Sequence, residues 1–211
     1  YYMLSTWKDN GKLDGSQYIV KTIVTSELLA DIARQFEVDC YDTLTGFKYI
    51  AEVIRKLEGE KTFIVGGEES YGYLTGEFVR DKDAISSCAM LAEMTAWALD
   101  QGMSLFDLLT EIYMQYGFYR ERLVSKKKKG ASGAEEIREM MRSLRSSPPH
   151  EITGSRLTKL LDYEEGSALD IASGKRSSLD FPKSNVLQFV TEDHTKVSAR
   201  PSGTEPKIKF Y

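Results

Sequence analysis

Two short strings hold the side chains best suited to gripping an anion and a polyhydroxylated ligand. The first is Arg200-Pro201-Ser202-Gly203-Thr204-Glu205-Pro206-Lys207-Ile208-Lys209. Arg200 offers a planar fork of donors to two oxygens of an oxyanion. Ser202 and Thr204 add hydroxyl donors. Gly203 lets successive backbone N–H groups turn toward one point with no Cβ in the way. Lys209 brings a second positive charge. The same residue types also make an ordinary solvated turn. The second string is Gly66-Gly67-Glu68-Glu69-Ser70-Tyr71-Gly72. Its two leading glycines permit close backbone approach. A carboxylate at 68 and a hydroxyl at 70 can face two neighbouring hydroxyl groups of one ligand. The bland alternative is a plain turn with exposed acids.

The elements that must position these strings follow from hydrophobic spacing. Residues 1–8 read as a helix closed by Asn10-Gly11, and 18–22 as a strand. Ser26 caps a helix bearing Leu28, Leu29, Ile32, Ala33 and Phe36, and 38–41 is a second strand. Thr43-Leu44-Thr45-Gly46 is a turn, followed by a helix with Phe47, Ile50, Ile54 and Leu57. The buried-type strand 62–65 runs directly into the glycine-acid string, which places that string just past its carboxyl end, where open α/β sheets bind ligands. A long helix after Asp83 puts Ile85, Cys88, Leu91, Ala92, Ala96 and Leu99 on one face, and Gly102 closes it. Ser104 with Asp107 forms a capping box for the next helix. This alternation predicts an α/β unit with a mixed, largely parallel sheet.

The texture changes near Gly117. A strand over 118–124 leads to Lys126-Lys127-Lys128-Lys129, read as a solvated loop. A charged helix over 132–145 ends at Ser146-Ser147-Pro148-Pro149. Strands follow at 156–163, 186–190, 196–199 and 208–211, with Glu192-Asp193-His194 as a turn and the chain leaving the sheet at Arg200. The second unit is therefore predicted as α+β, an antiparallel sheet packed on helices. The expected domains are 1–117 and 118–211.

Composition narrows the function classes. Of 211 residues, 41% are hydrophobic and 28% charged, the balance of a globular chain. A formal charge of -4 argues against a general nucleic-acid surface. The two cysteines, Cys40 and Cys88, read as reduced core thiols and point to the cytoplasm. There is no apolar run long enough for a membrane span. His150 and His194 lack metal-ligand spacing. The chain begins at Tyr1 and stops at Tyr211 within expected elements, so both ends read as cuts through a longer protein.

The string at 200–209 resembles the phosphate-binding loop of the α-D-phosphohexomutases, the phosphoglucomutase and phosphomannomutase relatives. Gly67-Glu68-Glu69-Ser70-Tyr71-Gly72 resembles the sugar-recognition loop of their third domain, which implies that Glu68 and Ser70 hold the 3- and 4-hydroxyls of a hexose. Thr45-Gly46-Phe47-Lys48 resembles a further substrate-facing loop, although it equally makes a turn with an N-cap threonine. Arg80-Asp81-Lys82-Asp83 is similar to a family pattern whose lysine reaches the reacting phosphosugar. Lys82 is thus a catalytic candidate, with a helix cap at Asp83 as the plain alternative.

The resemblance covers the chain as the third and fourth domains of a four-domain enzyme. It implies a mutase that interconverts hexose 1-phosphate and 6-phosphate through glucose 1,6-bisphosphate, aided by Mg²⁺. The family's phosphoserine loop and Asp-rich metal loop do not occur in this sequence, so no metal ligand is expected here and the N-terminal domains are the expected partner. The resemblance also admits a phosphopentomutase, a phosphoglucosamine mutase, or a non-catalytic phosphosugar-binding module.

Overall fold

The computed structural model describes residues 1–128, 130–203 and 205–211, with the side chains of Gly130 and Ala131 excepted. The chain divides into two compact units, Tyr1–Arg120 and Glu121–Tyr211.

In the first unit the elements are α1 (Tyr2–Asp9), β1 (Gln17–Thr22), α2 (Leu28–Gln35), β2 (Asp39–Thr43), α3 (Phe47–Leu57), β3 (Thr62–Glu68), β4 (Gly72–Thr75), α4 (Ala84–Asp100) and α5 (Leu105–Tyr116). The sheet order is β2-β1-β3-β4. β1 runs parallel to β2 and β3, and β4 returns antiparallel to β3. β1 is central and buried along its whole length, so its residues alternate between two apolar layers rather than between core and water. Ile19, with Ile64 of β3, faces Leu4, Ile32, Ala33, Ala98, Leu108 and Ile112 of the helices on one side. Tyr18 and Val20, with Phe63, face Phe47, Ile50 and Ile54 of α3 on the other. The result is a three-layer α/β/α unit.

Four expectations for this unit need correction. Gly66, Gly67 and Glu68 belong to β3 itself, and the following residues turn back as β4, a strand too short and too glycine-bordered to show a period of two. The face of α4 carrying Ile85, Leu91 and Leu99 is exposed, at 83%, 52% and 63%, and Cys88 lies exposed with it. Apolar residues run all round α4, so periodicity does not single out the side that meets the core, which is that of Met94, Trp97 and Ala98. α2 is preceded by Glu27, while Ser26 Oγ accepts from the Leu28 N–H at 3.3 Å. The expected strand at 118–124 is irregular until Val124. Its aromatics are spent on the first unit: the Tyr119 hydroxyl donates to Asp31, and the Phe118 ring stands edge-on to Tyr113.

The second unit comprises β5 (Val124–Lys127), α6 (Gly130–Ser146), β6 (Glu151–Ile152), β7 (Ser155–Asp162), β8 (Ser167–Asp170), β9 (Arg176–Ser178), β10 (Leu187–Thr191), β11 (Lys196–Pro201) and β12 (Lys207–Phe210). The antiparallel order is β5-β12-β11-β10-β7-β8-β9, with β6 paired to β7. One helix covers one face. Ile137 and Met141 of α6 meet Leu157, Leu160, Leu187, Phe189, Ala199 and Ile208 of the sheet. The lysine run is only in part the expected loop. Lys126 and Lys127 lie in β5 and pair with β12, Lys128 forms a 2.8 Å ion pair with Glu136 of α6, and Lys129 falls outside the described residues. Strong pairing with β12 overrides the charge repulsion that reads as a loop.

Candidate functional site

In the first unit the carboxyl ends of β1, β2 and β3 come together, as the parallel order requires. Gly46 precedes α3 with φ +127°, a conformation that favours glycine. Its N–H donates to Glu68 Oε1 at 2.7 Å. The carboxylate at the end of β3 therefore ties the β2–α3 loop to the β3–β4 hairpin. The cap reading of Thr45 fails: α3 has no side-chain cap, and Thr45 Oγ1 is buried without a hydrogen-bond partner.

Gly72, opposite Glu68 in the hairpin, separates that carboxylate from Lys82. A Cβ on Gly72 would lie 3.2 Å from Lys82 Cδ and 3.4 Å from Glu68 Oε2. Lys82 Nζ pairs with Asp81 at 3.1 Å and stands 5.7 Å from the centre of the Phe47 ring. The plain alternative for Asp83 also holds, since its carboxylate caps α4 by accepting from the Ile85 N–H at 3.0 Å. Gly46, Glu68 and Lys82 are thus brought to one place.

Ser70 sits at the exposed turn of the same hairpin, beside Tyr71, which is 89% exposed and holds φ at +63°. Ser70 Oγ donates to Glu69 Oε1 at 2.9 Å, and Glu69 Oε2 accepts from Thr22 Oγ1 at 3.3 Å. Thr22 is itself buried and lies 2.8 Å from Thr25 Oγ1. With its hydrogen committed to Glu69, Ser70 offers lone pairs outward. Beneath these loops Lys21 is fully buried, at 2.7 Å from Asp42 and 3.1 Å from Glu27. Burial pulls its pKa down, but Asp42 and Glu27 more than offset this and the net shift is upward. Glu69 and Lys21 escaped the motif reading. A lysine following the apolar run Tyr18-Ile19-Val20 in a strand was the signal available for Lys21.

In the second unit Arg200 does not leave the sheet. It pairs directly with Lys209 across β11 and β12. The intervening turn is pinned by Ser202 N–H to the Lys207 carbonyl at 2.7 Å and Glu205 N–H to Ser202 Oγ at 3.4 Å. Gly203 has open space where a Cβ would stand. Thr204, an expected hydroxyl donor, lies outside the described residues. Lys207 Nζ pairs with Glu205 at 2.8 Å, which holds that carboxyl below its usual range, with Lys127 adding a smaller effect. Lys209 Nζ stands 5.7 Å from the Tyr211 ring centre. Arg200, Ser202, Gly203 and Lys209 are therefore gathered around one turn, joined by Lys207, which the motif reading passed over.

Among the described residues no three His, Cys, Asp or Glu side chains gather as a metal site, and no helix is long and apolar enough to cross a membrane.

The chain is similar to known proteins of one family. The family profile for phosphoglucomutase/phosphomannomutase α/β/α domain III matches residues 1–116. A phosphoglucomutase of Staphylococcus haemolyticus is 37% identical over 193 residues, covering 92% of this chain and 35% of that protein. One of Staphylococcus aureus is 38% identical over the same shares. The chain thus spans about a third of the length of these curated relatives. Among solved structures, parafusin, a phosphoglucomutase of Paramecium in its open form, matches with a TM-score of 0.60 at 18% identity, over 91% of this chain and 32% of that one. At that identity the match speaks for the fold alone. With more than half the chain matched by the domain profile, the protein belongs to the phosphoglucomutase/phosphomannomutase family.

Proposed function

We propose that this chain is the substrate-gripping C-terminal part of a hexose phosphate mutase acting on glucose phosphates. In this reading the unit Tyr1–Arg120 recognises the sugar and the unit Glu121–Tyr211 holds a phosphate. The observation that carries it is the placement of Glu68. Its carboxylate is held at the carboxyl end of β3 by the Gly46 N–H, beside Lys82, within the string that resembles the family's sugar-binding turn.

Each residue then has a task. Glu68 Oε2 and Ser70 Oγ accept hydrogen bonds from neighbouring sugar hydroxyls. Thr45 and Gly46 line the adjoining loop. Lys82 stabilises negative charge on the reacting phosphoryl group. Arg200, Ser202, Gly203, Thr204 and Lys209 hold the phosphate that is not reacting, and its binding energy orients the sugar. Because both grips avoid the reacting atoms, they serve the 1-phosphate and the 6-phosphate alike. The remainder of such a protein supplies the phosphorylated serine, with glucose 1,6-bisphosphate as the intermediate. In this reading any Mg²⁺ is held by that remainder, and none of the tasks above depends on it.

The test is calorimetric titration of the chain with glucose 1-phosphate, glucose 6-phosphate and inorganic phosphate. Both sugar phosphates bind more tightly than inorganic phosphate. Glu68→Gln removes that advantage while leaving inorganic phosphate unaffected. Equal weakening of all three would overturn the sugar contact. The chain alone shows no conversion of glucose 1-phosphate, and measurable turnover would overturn the division of labour.

A further inference from the structure

The lysine run is left unexplained by the family motifs, yet it enters the sheet next to the turn at 200–209. In an antiparallel ladder, residues directly opposite share a face, and so do residues two apart on one strand. Arg200 is opposite Lys209, and Lys209 is opposite Ser125; Lys207 is opposite Lys127. All five therefore lie on one face. The other face is fixed by Ile208, fully buried against α6, with Lys126 as its partner. Lys128 confirms the alternation, since it pairs with Glu136 of α6. β5 is also stitched to the turn itself by the Lys128 N–H, which donates to the Pro206 carbonyl at 2.9 Å.

The cations on this face are not equally available. Lys207 is engaged by Glu205 at 2.8 Å. Lys127 is exposed, and among the described residues no ion pair neutralises it. It stands beside the turn on the side of Arg200 and Lys209, near enough to Glu205 to help hold that carboxyl below its usual range, while Glu205 itself pairs with Lys207. Taking the turn as the phosphate cradle of the proposed function, we propose that Lys127 is a further phosphate-binding residue, a third cation beside Arg200 and Lys209, supplied by the edge strand β5. The ligand is a phosphate dianion, free or carried by a sugar. A dianion retains charge after one bidentate Arg contact, and a lysine on a flexible stem can meet it at no backbone cost.

Strand alternation provides the control. Lys126 carries the same charge one residue away, on the opposite face. The chain and its K127Q, K126Q and R200Q variants are titrated with inorganic phosphate and with glucose 6-phosphate at low ionic strength, after their melting temperatures are compared. K127Q weakens both ligands by about three- to tenfold, the scale of one partly screened charge contact, while K126Q changes them by less than about twofold. R200Q weakens both more than K127Q does, and K209Q replaces it if the Arg200 variant does not fold. Equal losses in K127Q and K126Q would overturn the role of Lys127 and leave a diffuse field in its place. Preferential binding of a short single-stranded oligonucleotide, weakened equally by both lysine variants, would overturn it in favour of a general polyanion surface. Unchanged phosphate binding in both R200Q and K209Q would instead remove the cradle on which the inference rests. A loss in R200Q with none in K127Q would remove the Lys127 assignment alone.

Discussion

The two oxygens of Glu68 have different duties, one on the Gly46 N–H and one facing Gly72 and Lys82. Replacing the carboxylate by an amide keeps an oxygen for Gly46 but halves the acceptor capacity offered to a ligand, which is why Glu68→Gln should discriminate sugar phosphates from phosphate. Arg200 works through charge as well as direction. In a full-length protein carrying this chain, Arg200→Ala should cost about 2–4 kcal/mol of transition-state stabilisation, read as a fall in kcat/KM. An unchanged kcat/KM would reject the phosphate-loop assignment. The cysteines also differ in their surroundings. Burial pushes the Cys40 thiol up to about 11, whereas Cys88 is exposed on α4. Since the thiolate is the reactive form, a thiol reagent at neutral pH should modify Cys88 rapidly and Cys40 only on unfolding. Two equally fast thiols would contradict this placement.

Among the elements, β3 shows why a glycine stands at position 66. A Cβ on Gly66 would meet the Val20 carbonyl of β1 at 2.9 Å and the Phe63 ring at 3.2 Å. The first neighbour is backbone and cannot swing aside, so Gly66→Ala should destabilise the chain by about 1–3 kcal/mol in thermal or urea unfolding. The start of α4 depends on Asp83, whose carboxyl is held below its usual value first by Ser86 and then by the Ile85 N–H. A lowered folded pKa means that the cap stabilises above the unfolded value, about 3.9, and fades as pH falls through the folded one. Asp83→Ala should lower the melting temperature at pH 7, and the gap from the unaltered chain should close at pH 2–3. A gap independent of pH would show that the charge plays no part. Helices were legible wherever one face alone is apolar, as in α3, and wherever caps are explicit, as at Ser104-Asp107. α4 was legible as a helix but not as to its buried side, because its apolar residues surround it. β4 and the strand character of Lys126 and Lys127 were hidden because hairpin return and edge pairing come from a neighbouring strand, not from local pattern.

Across the whole molecule, the candidate residues were legible as short strings but their long-range partnerships were not. The strings at 45–48, 66–72, 80–83 and 200–209 named Gly46, Glu68, Lys82 and Arg200. The long-range partners Gly46, Thr22, Lys21 and Lys127 are set by sheet register, which no local spacing encodes. Each unit has its own apolar core, two layers around the parallel sheet in one and α6 against the antiparallel sheet in the other. The segment 121–211 expressed alone should therefore give a cooperative melt with dispersed amide resonances. A non-cooperative melt would mean that its core is insufficient. The Gly46–Glu68 bond has a use beyond architecture. An amide proton parked on a carboxylate works as a built-in gauge, for whatever draws that carboxylate away must loosen or tighten the proton's grip. Deuterium uptake at Gly46 should shift when glucose 6-phosphate is added and stay constant with inorganic phosphate, reporting sugar arrival at a single backbone position without any turnover.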